Sequence, residues 1–95
     1  MIRTDEATFR ASVPSQVGHL RICKVGTFFP GDGSSYANAY AVTQGRGEQW
    51  STHLLICLDD EQWIAEHGHY GFATEAKAWE DVSERVEWKR KLRGA

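Results

Sequence analysis

Residues 36–58, which read YANAYAVTQGRGEQWSTHLLICL, decide the fold of this chain. Along residues 36–43 the side chains at even positions are opposed by Ala37, Ala39, Ala41 and Thr43, and this period of two is typical of a β-strand. Residues 50–58 carry apolar side chains at both phases of the alternation, which predicts a central strand. The glycines of residues 44–48 supply the backbone freedom that a tight connection requires. The stretch therefore predicts an antiparallel hairpin.

Two further strands are predicted on the N-terminal side of this hairpin. Apolar and polar residues alternate along residues 7–13, which predicts a half-buried strand that ends at Pro14. Residues 19–29 are rich in β-branched and aromatic side chains, and their alternation changes phase after Ile22. That change predicts a β-bulge or a strand buried on both faces. Residues 30–35, PGDGSS, are predicted to form a loop.

Two interpretations remain open for the segment that follows the hairpin. Asp59 and Gln62 resemble a capping box, and Gly68 is suited to the end of a helix, which together indicate a short helix at 60–67. The run Trp-Ile-Ala at 63–65 instead suits a strand that follows a tight acidic turn. We favour the strand.

A C-terminal helix is predicted to begin after Thr74, which is a good N-cap residue. Acidic residues in its first turns and basic residues in its last turn complement the helix dipole, and Asp81 and Arg85 are spaced for an ion pair. The residues predicted to dock on the sheet are Ala76, Trp79, Val82 and Val86. The predicted class is α+β, with an antiparallel, meander-like sheet of four to five strands and one C-terminal amphipathic helix packed on one face.

Composition predicts one domain, residues 1–95, with no membrane span. A length of 95 residues and a hydrophobic content of 41% are ordinary for a small globular domain and exclude a disordered chain. The longest apolar run covers residues 54–58, whereas a membrane span needs roughly 20 apolar residues. Cys23 and Cys57 have no C-x-x-C spacing, and no signal peptide precedes them, so we expect reduced thiols and a cytoplasmic location.

The charge of the chain is unevenly distributed, although the formal net charge is only −2. Residues 59–87 hold nine acidic residues against two basic ones, and residues 88–95 hold four basic residues. Trp88 and Leu92 lie on the helix away from the docking stripe, and this apolar pair predicts contact with a partner protein or a second copy of the chain. The alternative is that the chain bends after Val86 and packs Trp88 onto the core.

These features predict a small non-catalytic protein-binding protein, an adaptor or an inhibitor. The predicted partner-binding residues combine an acidic face with an apolar helix end: Glu80, Glu84, Glu87, Trp88 and Leu92. An acidic face suits a basic partner surface, such as one that binds nucleic acid. Compact, acidic proteins without catalytic motifs are common among phage-encoded and regulatory inhibitors, which is an analogy of class and not a family match.

A nucleic-acid-binding domain is the second hypothesis, because a sheet face left open by the helix can stack bases. Its candidate residues are basic and aromatic side chains expected on neighbouring strands: Arg10, Arg21, Lys24, Tyr36 and Tyr40. Residues 71–79, GFATEAKAW, also resemble the strand-to-helix junction of small domains built from a three-stranded sheet and a helix. Some of those domains, the integrase arm-binding type, bind DNA through the sheet, which is what the resemblance implies here, although the net negative charge of the chain argues against it.

A small enzyme or metal-binding protein is the third hypothesis. His67 and His69 share a strand face, and His53 and Cys57 lie on the preceding strand, but a zinc site needs three or four such groups to converge. The sequence contains no G-x-S-x-G elbow and no phosphate-binding glycine motif. We therefore expect no metal and no cofactor. A deep pocket that contains a group with a shifted pKa would favour an enzyme, whereas a flat charged or apolar patch would favour protein binding.

Overall fold

A computed structural model gives the structure of residues 6–29, 37–47, 49–57 and 62–92. In chain order the elements are α1 (Glu6–Ser12), β1 (Gln16–Val17), β2 (Leu20–Phe29), β3 (Asn38–Gln44), β4 (Trp50–Cys57), β5 (Trp63–Phe72) and α2 (Glu75–Leu92). The strands form one antiparallel sheet in the order β1-β2-β3-β4-β5, and α2 packs on one of its faces. The predicted α+β class, with a meander-like sheet and a C-terminal helix, is confirmed.

The predicted hairpin is formed by β3 and β4, which pair without interruption along the whole of β3. Gly47 in the connection has a φ of 84°, a conformation that favours glycine. β4 lies between β3 and β5, and its middle residues are buried, as expected for a central strand. Glu48 and the predicted loop at residues 30–35 lie outside the described residues.

The C-terminal helix α2 begins where the sequence predicts. The Thr74 hydroxyl accepts a hydrogen bond from the Lys77 backbone N–H at 3.1 Å, which caps the first turn. Three residues spaced four apart are buried against the sheet: Ala78, Val82 and Val86. The prediction that Ala76 docks is wrong, because Ala76 lies about 60° further round the helix than Trp79 and is exposed.

The N-terminal segment forms the helix α1, so the predicted strand at residues 7–13 is wrong. Phe9 and Val13 are four residues apart, which suits one face of a helix, and the Val13 N–H donates to the Phe9 carbonyl at 3.1 Å. Phe9 is only 2% exposed, and its ring meets the Trp63 ring edge-on at a centroid distance of 5.2 Å. The alanine side chains beneath Phe9 leave the space that α1 occupies.

The sheet curls towards the side that α1 covers, which we call the concave face. β1 contacts β5 across this face, and Val17 packs there with Ala41 and Leu55. In the part of the chain that the structure describes, the sheet face opposite α2 is therefore partly covered by α1 and β1. The nucleic-acid hypothesis assumed that this face is open to solvent.

The two remaining strands of the sheet are β2, whose pairing with β3 is irregular, and β5, which is continuous over ten residues. The pairing of β2 with β3 shifts between Ile22 and Lys24, as the phase change after Ile22 predicts. A second shift includes Gly26, where α2 approaches so closely that an added Cβ would lie 2.8 Å from a Val82 methyl group. Residues 63–72 form β5, so the favoured strand interpretation is confirmed over a short helix at 60–67.

β5 pairs with β4 through a bulge in which His67 and Gly68 share the position opposite His53. His67 has a φ of 52°, a backbone conformation that few residues other than glycine adopt. Beyond the bulge, His69 lies on the side of the sheet that faces α2. The bulge therefore leaves both histidines on the α2 side of the sheet.

Candidate functional site

A groove of about 720 Å³ lies between the C-terminal half of α2 and the sheet. This volume is within the range of sites that enclose a small ligand or a few side chains of a partner. From α2 the groove receives two rows of side chains, each spaced four residues apart and therefore aligned along the helix. The inner row, next to the sheet, is Asp81, Arg85 and Lys89, and the outer row is Glu84, Trp88 and Leu92.

Asp81 of the inner row joins α2 to two strands. Its carboxylate accepts hydrogen bonds from the Thr52 hydroxyl at 2.6 Å and from the His69 Nδ1–H at 3.0 Å. The expected ion pair between Asp81 and Arg85 is not formed, because the Thr52 hydroxyl lies between them and accepts the Arg85 Nη1–H at 3.1 Å. Asp81 thus turns inward to the sheet instead of pairing with Arg85 along the helix.

Arg85 and Lys89 of the inner row lie over aromatic rings. The Arg85 guanidinium is 4.5 Å from the centroid of the Tyr40 ring. Lys89 Nζ is 5.5 Å from the same centroid, 4.9 Å from that of Phe29, and hydrogen-bonded to the Asn38 side chain. Such contacts stabilise a cation against an apolar surface. Tyr40 itself is buried beneath these two cations, which leaves its ring little surface on which to stack a base.

The outer row is the apolar part of the groove. Trp88 is 58% exposed and Leu92 is 66% exposed, and with Tyr70 they are the large hydrophobic residues most open to solvent in the described chain. α2 continues as one helix to Leu92, so Trp88 is not folded back onto the core. Neighbouring exposed residues of this size are typical of a contact surface.

The outward side of α2 is mixed in charge rather than uniformly acidic. Glu80 and Glu87 are both exposed, and each pairs with a basic residue one turn away, Lys77 at 3.7 Å and Arg90 at 3.9 Å. Glu84 is exposed and has no ion-pair partner among the residues that the structure describes. The predicted partner-binding residues therefore lie together on one half of α2, with Glu84 beside Trp88.

The residues proposed for nucleic-acid binding lie at separate places. Arg10 is on α1, not on a strand, and donates to the Gly26 carbonyl at 2.7 Å. Arg21 is exposed on β2 and bonds to the Gln44 side chain. Lys24 lies on the α2 side, with its Nζ 4.0 Å from the centroid of the Trp79 ring. Tyr36 is outside the described residues, and Tyr40 is buried in the groove floor.

The residues considered for a metal site lie on opposite faces of the sheet. His67 and His69 line the groove, whereas His53 and Cys57 are on the concave face, where Cys57 packs near Phe9. Alternation along β4 places His53 and Cys57, four residues apart, on the same face. The register and the bulge of β5 leave His67 and His69 on the other. Across residues 6–29, 37–47, 49–57 and 62–92, no three His, Cys, Asp or Glu side chains cluster closely enough to hold a metal ion.

A buried polar cluster on the concave face is the feature that the sequence analysis missed. Thr43 Oγ1 lies 2.7 Å from both Ser51 Oγ and His53 Nδ1, and His53 Nε2 lies 3.0 Å from the Tyr70 hydroxyl. The alternation of β3 and β4 does place the first three residues on one face. Alternation alone does not predict that Tyr70 joins them, because its position depends on the bulge in β5.

His53 is the titratable group in this cluster. Burial is the main cause that lowers its pKa below the usual 6.5, and the charges of three neighbours add to the effect: Arg85, His19 and His69. His53 therefore favours the neutral form, which bonds to hydroxyl groups at both ring nitrogens. This group with a shifted pKa lies on the opposite side of the sheet from the groove.

Comparisons with protein-family models, curated proteins and solved structures gave no match to this chain. Neither α1 nor α2, the helices of the described residues, is long and apolar enough to cross a membrane. Function is therefore inferred from the groove and from the charges around it.

Proposed function

We propose that this chain is a small non-catalytic protein-binding protein, an adaptor or an inhibitor, that holds a segment of its partner in the groove beside α2. The exposure of Trp88 and Leu92, side by side on the outer row, is the observation that carries the proposal. Burying these side chains against a partner is worth roughly 1–2 kcal/mol each, given that each is already partly buried. Trp is also enriched among the residues that dominate protein interfaces.

The charges on the outward side of α2 support a basic partner. Glu84 supplies a carboxylate beside Trp88 that no described cation neutralises. Glu80 and Glu87 are held only by exposed ion pairs, which contribute about 0–1 kcal/mol and exchange readily for a cation of the partner. A Lys or Arg next to the apolar residue of the partner is therefore attracted to this side of the groove. The basic surface of a nucleic-acid-binding protein has this chemistry.

Binding rather than catalysis is supported by the roles of the titratable groups. His53, whose pKa is lowered, lies on the concave face, away from the groove. His69 and Asp81 do line the groove, but their mutual hydrogen bond and the bond from Thr52 hold α2 on the sheet. These contacts are those of a scaffold that presents the outer row at a fixed position.

The test is a selection of binding peptides from a random linear-peptide library displayed on phage, with the full chain as bait. We expect enrichment of peptides that place an aromatic or aliphatic residue next to Lys or Arg. Trp88→Ala should weaken the best peptide at least about tenfold, equivalent to ~1.4 kcal/mol, because the apolar contact is lost. The double variant Glu80→Lys/Glu84→Lys should weaken it by a similar factor, because the attraction becomes repulsion.

A matched control is Glu75→Lys, which reverses an exposed charge at the opposite end of α2 and should leave peptide affinity unchanged. Peptides that bind Trp88→Ala as tightly as the wild type would overturn the proposal, as would a selection without enrichment. Sedimentation of the free protein at several concentrations tests a second copy as the occupant. A dimer that Trp88→Ala dissociates would assign the outer row to self-association and contradict a separate partner.

A further inference from the structure

We infer that the groove contains a carboxylate-binding subsite at Arg85, which takes an Asp or Glu side chain of the partner segment, one or two residues from the apolar residue that contacts Trp88. The inference rests on the proposed function, since it specifies the segment that the groove holds. It adds a second requirement, a negative charge in the floor of the groove, to the apolar and basic groups already assigned to the partner.

Arg85 is a partly buried cation without a carboxylate partner. The other N–H groups of its guanidinium, besides the one that bonds to Thr52, find no acceptor within the described part of the chain. An arginine side chain carries five N–H donors, and a guanidinium that is partly removed from water gains strongly from a carboxylate. Asp81 does not supply that carboxylate, because it forms no ion pair with Arg85 and instead accepts hydrogen bonds from Thr52 and His69.

The guanidinium is held in place before any ligand arrives. The Thr52 hydroxyl gives its hydrogen to Asp81, so its oxygen lone pair is left to accept the Arg85 Nη1–H. The face of the guanidinium is fixed by the Tyr40 ring at 4.5 Å. A planar group restrained at one nitrogen and on one face loses little rotational freedom when its remaining edge binds a carboxylate.

The charges around Arg85 favour a single negative charge over a doubly charged phosphate. Lys89 adds a positive charge one turn further along the inner row, whereas Asp81 and Glu84 line the same groove with negative charge. A monoanion balances the charge of Arg85, whereas a dianion would be repelled about twice as strongly by these two carboxylates. A carboxylate also matches the fork of the guanidinium with two parallel hydrogen bonds.

Helix geometry sets the spacing of the motif. Arg85 and Trp88 are three residues apart on α2, which separates them by about 4–5 Å along the helix axis. An extended segment covers that distance with one or two residues. The segment that fits the groove therefore has an apolar residue, an acidic residue one or two positions away from it, and a basic residue near Glu84.

The test is a double-mutant cycle that uses the best peptide from the library selection, the same peptide with its Asp or Glu changed to the amide, and Arg85→Gln. In the wild type the amide should bind about tenfold more weakly than the acid. In Arg85→Gln the two peptides should bind within about twofold of each other, because the partner of the carboxylate is gone. A merely structural role of Arg85 would weaken both peptides equally and leave their ratio unchanged.

A control variant is available for this test, and the negative outcome of the test differs from that of the proposed function. Lys91→Gln removes an exposed charge from α2 outside the groove and should preserve the wild-type ratio of acid to amide affinity. Equal ratios of acid to amide affinity in the wild type and Arg85→Gln would overturn the carboxylate subsite alone, provided that Trp88→Ala still weakens binding at least about tenfold. Selected peptides without Asp or Glu would overturn it in the same way. If Trp88→Ala has no effect, the proposed function itself is wrong.

Discussion

His53 shows how a single buried residue makes stability depend on pH. Its side chain lies between the Thr43 and Tyr70 hydroxyls, and burial lowers its pKa below 6.5. The unfolded chain therefore binds a proton more readily than the folded one as the pH falls below 6.5. The contribution of His53 to stability is fully present above pH 6.5 and is lost as the pH falls towards the folded pKa.

We predict that the free energy of unfolding, measured by urea melts, falls as the pH is lowered through 6.5. His67→Gln, at an exposed position, should keep this fall, whereas His53→Gln should reduce it. If His53→Gln does not fold, an NMR titration of the His53 ring in the wild type gives the answer directly. A His53 pKa at or above 6.5 would contradict the prediction.

Among the elements, α1 and the end of α2 contribute unequally to stability. Phe9 of α1 is buried against Trp63, whereas Trp88 of α2 is more exposed than buried. We predict that Phe9→Ala costs about 3–5 kcal/mol of unfolding free energy, as for a core aromatic residue. Trp88→Ala should cost less than about 1 kcal/mol, because it leaves no cavity. Urea melts of both variants under one condition provide the comparison, and a Trp88→Ala cost equal to that of Phe9→Ala would place Trp88 in the core.

The sequence predicts the elements whose signals are local and misses those that depend on packing. The β3–β4 hairpin and α2 follow from alternation, glycines and the Thr74 cap, all of which act within a few residues. The segment at 7–13 alternates like a strand but forms α1, because the small side chains on the concave face make space for a helix there. The pattern of residues 7–13 alone does not reveal this space, because the alanines that create it lie in another segment of the chain.

In the groove too, the sequence predicts local features but not contacts between distant segments. The exposed position of Trp88 and Leu92 could be predicted, because it depends only on helical periodicity. The inward turn of Asp81 could not, because it requires Thr52 and His69 on two other strands to face α2 together. The groove itself arises between elements that are distant in sequence, so it has no signature in any one segment.

The two faces of the sheet have different roles. On the concave face, α1 and β1 cover a core that includes Phe9, Val17 and Leu55, while Tyr70 on β5 remains exposed. On the other face α2 covers mainly β3 and β4, and the groove remains where the end of the helix lies beside His67 and His69 of β5. An accessible site with apolar, acidic and basic groups is therefore present on the α2 side.

The most direct test of the groove uses the four tryptophans as reporters. Their indole N–H groups give separate NMR signals from four places: Trp50 beside the α2 core, Trp63 against Phe9, Trp79 under Lys24, and Trp88 in the groove. On titration with the library-selected peptide, binding in the groove predicts that the Trp88 indole signal moves while the Trp63 and Trp50 signals stay in place. A stationary Trp88 signal together with a shift of Trp63 would place the ligand on the concave side and contradict the account.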